Sequence, residues 1–172
     1  RKEFIEIIKF ITKEDIFYLD ESGFDIDMQK QYGYWNKSER LFAEKSGSRK
    51  DKRISVIAVR NHRHQLLHSF YFKGSTNKEV FKTYLTEILL PNLPQNSYLI
   101  MDNAAFHKGE EIENLITSAN INLIYLPTYS PDLNPIEKKW AQVKSCYRKL
   151  SYYFEDKIKL IEMVLLEQKV ST

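Results

Sequence analysis

Two four-residue apolar runs, Ile16 to Leu19 and Tyr98 to Met101, each lead directly into an aspartate, Asp20 and Asp102. Runs this short read as buried strands rather than helices, and a third, Ile121 to Leu126, is stopped by Pro127. Helical spacing fills the intervals. Thr76 with Glu79 makes a capping box for a helix carrying Val80, Phe81, Tyr84, Leu85 and Ile88, closed by Pro91. Lys108 to Ala119 turns Ile112, Leu115, Ile116 and Ala119 inward. Strands alternating with helices imply a mixed sheet covered by helices, an α/β domain. Ligands of such sheets bind at the downstream strand edge. If the first two strands are parallel neighbours, about 4.8 Å apart, the carboxylates of Asp20 and Asp102 meet there.

The rest of the chain fits around that frame. Residues 1 to 14 place Phe4, Ile7, Ile8 and Ile11 on one helical face and form a lead-in helix. Residues 21 to 50 have no clear period and read as a long loop or irregular hairpin. Ile54 to Arg60 and Gln65 to Phe72 are two antiparallel strands around a turn at Asn61 to His64. Asn134, Pro135 and Glu137 open a helix as cap, first turn and third position, with Ile136, Trp140, Val143, Tyr147 and Leu150 as its core stripe. A last amphipathic helix spans about Glu155 to Lys169.

Composition excludes several classes. At 172 residues, 42% hydrophobic and 28% charged, the chain has the size and balance of one globular domain. No apolar run approaches the roughly 20 residues that span a bilayer, and no secretory signal core follows Arg1. Cys146 stands alone, which suits a reducing compartment such as a bacterial cytoplasm or a eukaryotic nucleus. The formal charge of +3 is unevenly spread: net +4 over residues 37–53 and net +5 over 138–149, leaving −6 for the remainder. Basic segments on an acidic body fit either a polyanion partner or two solvated surfaces.

A third acid, Glu137, follows Asp102 after 34 intervening residues. Three carboxylates at about 4 Å repel by about 4 kcal/mol per pair at an effective dielectric of 20, so convergence calls for a cation. Oxygen donors without Cys or His suit Mg²⁺ or Mn²⁺ rather than zinc. His62 and His64 lack the further ligands a zinc site needs and read as a surface turn. Taken singly, each acid also has a local structural role. Asp20 can start a turn with Glu21, Ser22 and Gly23; Asp102 and Asn103 can cap a helix; Glu137 can complete a capping box.

Three segments decide between these roles: residues 17–24 (FYLDESGF), 99–107 (LIMDNAAFH) and 126–137 (LPTYSPDLNPIE). In this order they resemble the mariner-type transposases of the DDE superfamily, most nearly their bacterial insertion-sequence relatives, over about residues 10 to 150. The last segment is the most specific. The resemblance implies a ribonuclease H-like fold with a mixed five-stranded sheet, its hairpin strands antiparallel to the first. It also implies an acidic triad of Asp20, Asp102 and Glu137 that holds two Mg²⁺ or Mn²⁺ ions. The implied reaction is metal-dependent cutting of transposon ends and joining of the 3′-hydroxyl to target DNA, with a TA step as the expected target. The protein is expected to act as a homodimer assembled on DNA. Glu21, Asp25 and Asp132 are set aside as neighbouring acids, Glu21 because it points to the opposite strand face from Asp20.

Expected DNA contacts come from the basic segments. Lys144 and Arg148 share a helix flank with Glu137, Trp35 precedes the first basic stretch, and Lys37, Arg40, Arg49, Lys50 and Arg53 lie in it. The Tyr32-Gly33-Tyr34-Trp35 stretch resembles the family's Gly-Trp loop and offers aromatic faces for stacking. Asn103 and His107 are expected near the site, His107 as a group that orients a phosphate. The expected organisation is one catalytic domain over 1–172, without the N-terminal DNA-recognition domains usual in the family. A DNA-binding remnant that no longer cuts, or another ribonuclease H-like nuclease, are the alternatives.

Overall fold

The computed structural model describes residues 1–26, 32–34, 40–42 and 53–170, with side chains left out at 32–34, 40–42, 169 and 170. Seven strands lie among them: β1 Ile16–Asp25, β2 Tyr32–Tyr34, β3 Arg40–Phe42, β4 Arg53–Arg60, β5 Leu66–Lys73, β6 Tyr98–Met101 and β7 Asn122–Tyr125. The helices are α1 Lys2–Lys9, α2 Lys78–Thr83, α3 Glu110–Ser118, α4 Ile136–Leu150 and α5 Lys157–Val170. Five strands form one mixed sheet in the order β5-β4-β1-β6-β7. β1, β6 and β7 are parallel, and β4 and β5 run antiparallel to their neighbours. This is the ribonuclease H-like arrangement. β2 and β3 pair only with each other, within the stretch expected to be a loop or irregular hairpin.

Alternation along β1 decides how the helices divide between the faces. Phe17 and Leu19 join Ile57 and Val59 of β4, Tyr84, Leu85 and Leu89 beyond α2, and Ile112 and Ile116 of α3. On the other face Phe24, Ile54, Val56 and Ala58 meet Trp140, Val143 and Tyr147 of α4 and Leu160 and Val164 of α5. Phe4 of α1 packs with Ile16 and Ile100 on the same side. Phe24 sits edge-on to both Trp140 and Tyr147, with ring centroids 6.5 and 5.3 Å away, so α4 lies directly over β1.

Three local expectations change. β1 does not end at Asp20 but continues to Asp25, because Ser22 and Phe24 alternate into the core opposite Val56 and Ile54 of β4. Gly23 is no turn residue. A Cβ there would overlap the Arg53 guanidinium that lies across it. The cap of α2 is Asn77 rather than Thr76, its Oδ1 accepting from the Val80 N–H at 2.9 Å. Asn77→Ala should therefore cost about 1 kcal/mol in urea denaturation, whereas Thr76→Ala should change nothing measurable. Before α4 the capping position falls to Pro135, and Asn134 makes no side-chain cap; its buried Oδ1 has no hydrogen-bond partner among the described residues. No helix among the described residues is long and apolar enough to cross a membrane.

Candidate active site

The pairing of β1 with β6 sets Ile16 opposite Tyr98, Phe17 opposite Leu99 and Tyr18 opposite Ile100. The same register carries Asp20 to the level of Asp102. β6 ends there, so Asp102 stands at the sheet edge while Asp20 remains inside β1, only 9% exposed. Asp20 lies on the strand face that α4 covers, alternating with Tyr18 and Phe24. α4 begins beside it, with the exposed Glu137 in its first turn, where the helix N-terminus favours a carboxylate.

Electrostatics reports the crowding. Burial pushes the Asp20 carboxyl up from 3.8 to about 7; the charges of Glu21, Glu137 and Asp102 push the same way, against a backbone N–H bond from Glu21. Asp102 is shifted down, first by a hydrogen bond from His107, against its partial burial, and further by the Ala104 N–H. The two aspartates level with each other thus have opposite tendencies: one resists its charge and the other keeps it.

His107 lies directly beside Asp102. It is fully buried, its ring 4.4 Å centroid to centroid from both Phe81 and Phe106. Nδ1 lies 2.6 Å from Asp102 Oδ1 and Nε2 lies 2.8 Å from Glu21 Oε1. Both nitrogens are occupied, leaving none to orient a phosphate. Burial alone would lower the imidazolium pKa, but hydrogen bonds and charge from both carboxylates outweigh it and raise the group to about 9. Asn103 is structural in its contact: its side-chain amide donates to the Leu126 carbonyl and ties the end of β6 to the end of β7.

Glu21 was set aside on strand alternation. Alternation is right: Glu21 does face away from Asp20. The miss is that His107 reaches it from the next βα connection, 86 residues away in sequence. No sequence spacing signals such a bridge.

Of the expected DNA contacts, Arg148 is exposed on α4, and Lys144 is half-buried with its ammonium 6.0 Å over the Phe24 ring. Arg53 is exposed at the start of β4, opposite Asp25. Trp35, Lys37, Arg49 and Lys50 lie outside the described residues, as does the side chain of Arg40.

The donor set is oxygen only, and its most buried member, Asp20, is a carboxyl that resists ionising where it lies, which fits a hard divalent cation. The described side chains do not already form a cluster of three ligands. In their present arrangement Asp102 gives Oδ1 to His107 and to the Ala104 N–H.

A family model described as DDE superfamily endonuclease matches residues 15–161, which contain all three acids. The chain belongs to this family. The DDE endonuclease domain is 29% identical to the Tcb1 transposable-element transposase of Caenorhabditis briggsae over 75 residues, 41% of this chain and 28% of that protein. It is similar in fold to the Mos1 mariner transposase in a paired-end complex with Mn, with a TM-score of 0.63 at 14% identity, covering 97% of this chain and 57% of that one. The catalytic core domain of BIV integrase gives a TM-score of 0.55 at 13% identity, covering 90% and 82%. The DDE endonuclease domain thus spans well under two thirds of the transposases it matches and most of an integrase core.

Proposed function

We propose that this domain is the catalytic part of a cut-and-paste transposase of the mariner type, on the bacterial insertion-sequence branch, using Asp20, Asp102 and Glu137 to hold two Mg²⁺ or Mn²⁺ ions. The observation that carries this reading is the buried, charge-resisting Asp20 carboxylate, level with Asp102 and under the first turn of the helix that bears Glu137. Family membership and the transposase–DNA complexes among its structural neighbours support the same reading.

Asp20, Asp102 and Glu137 would hold the pair of divalent ions, whose chemistry when bound would be to activate the attacking oxygen and stabilise the leaving oxygen at a phosphodiester. The protein's own part is positional. The sheet fixes Asp20 and Asp102 at one level, α4 carries Glu137 near enough for its charge to act on Asp20, and burial of Asp20 keeps bulk water from screening the charge. Lys144 and Arg148 extend along the same helix flank and face the phosphates beside the cut. The substrates are transposon ends and then a target, with TA as the expected step, handled by two copies assembled on DNA.

The test is nicking of supercoiled DNA in Mg²⁺ or Mn²⁺. The wild-type domain should nick, and Asp102→Ala should not. Cutting that survives the substitution rejects this site. Binding should also be strongly salt-dependent. Replacing both Lys144 and Arg148 by Ala should reduce the slope of log K against log salt by about 1.8, at about 0.9 per lost duplex phosphate contact. An unchanged slope removes both residues from the DNA interface.

A further inference from the structure

The geometry points to Glu21 as a positioning residue for Asp102, acting through His107. This rests on the metal-site reading above and adds a residue that the acidic triad does not contain. Glu21 Oε1, His107 Nε2, His107 Nδ1 and Asp102 Oδ1 form an unbroken line of two hydrogen bonds, 2.8 and 2.6 Å long. Both outer groups are carboxylates, so the imidazole lies clamped between two oxygen partners, one on each ring nitrogen. Its ring is fully buried against Phe81 and Phe106, which removes the alternative of turning outward to solvent. Glu21 is itself largely buried, its side chain 15% exposed, while the Asp102 side chain is 48% exposed. The rigid end of the line is therefore the strand residue and the accessible end is the proposed ligand. With Oδ1 held by the imidazole and by the Ala104 N–H at 2.9 Å, Asp102 has one oxygen, Oδ2, to offer a cation. Partners behind a ligand commonly change metal affinity by 10–100-fold.

Mn²⁺ titration of the DNA-free domain, followed by water-proton relaxation, separates the possibilities, with thermal unfolding as the check on folding. Asp102→Ala should weaken Mn²⁺ binding strongly. Glu21→Ala should weaken it about tenfold, and Glu21→Gln, which keeps an acceptor for Nε2, should restore it to within about threefold of wild type. In an Asp102→Ala background, Glu21→Ala should add no further loss. If Glu21→Ala does not fold, Glu21→Ser, too short to reach Nε2, takes its place in each comparison. Unchanged affinity in a folded Glu21→Ala protein, or an equal loss with and without Asp102, overturns the positioning role and leaves the metal site standing. Unchanged affinity in Asp102→Ala overturns the metal site itself, and the positioning role with it.

Discussion

Asp20→Asn should abolish metal-dependent cleavage and at the same time make the metal-free domain more stable at pH 8. The loss of cleavage is expected at roughly 10³-fold or more, the scale of removing a group whose interaction matters chiefly in the transition state. The gain in stability follows from burial. A carboxyl raised from 3.8 to about 7 in the folded protein binds its proton more tightly there than in the unfolded chain. Stability from this group is therefore greatest below pH 4 and falls as pH rises toward 7, by about 4 kcal/mol if the full shift is realised. An asparagine carries no charge to bury, though its amide costs about 1–2 kcal/mol where it lacks partners. A net gain of about 2 kcal/mol at pH 8 is expected in urea denaturation, shrinking to nothing or reversing at pH 4. Saturating Mn²⁺ should reverse the order of the two proteins at pH 8, since the wild type alone gains from the cation.

His107→Ala should be the most destabilising single substitution at the site, by about 3–5 kcal/mol at pH 7. It leaves Glu21 and Asp102 without the cation between them and opens a cavity against Phe81 and Phe106. The pH dependence has a definite sign. His107 is raised from 6.5 to about 9, so its contribution is complete below pH 6.5 and disappears as pH climbs through 9. Asp102 is shifted down, so its share is present above the ordinary carboxylate range and is lost in acid. The gap between denaturant midpoints of wild type and His107→Ala should thus narrow from pH 6 to pH 10, leaving on the alkaline side only the cost of the cavity. Parallel curves across that range would show that the ring acts by packing alone.

The sheet was legible because the apolar runs that mark its strands are compact and bounded. The parallel runs ending at Leu19 and Met101 and the hairpin around residues 61–64 were all readable from the chain. The end of β1 was not. Asp20 to Gly23 looks like turn chemistry, yet cross-strand pairing with β4 outweighs that local preference and buries Phe24. The helix caps failed for a similar reason: Thr76 and Asn134 have capping chemistry, but tertiary placement gives the cap to Asn77 and leaves Asn134 Oδ1 buried. The proposal of three acids rests on motif order rather than spacing. The partner of His107 was out of reach, because strand alternation correctly separates Glu21 from Asp20 and says nothing of a side chain arriving from another connection.

The central claim is that Asp20, Asp102 and Glu137 share divalent cations. A crystal of the domain grown or soaked in saturating Mn²⁺, with data collected near the manganese absorption edge, tests it directly. The account predicts anomalous density about 2.1 Å from oxygens of Asp20 and Asp102, with Glu137 drawn in to the same site or to a second ion about 3.5–4 Å away. Anomalous peaks only elsewhere on the protein, or none with Mn²⁺ in excess, would contradict it.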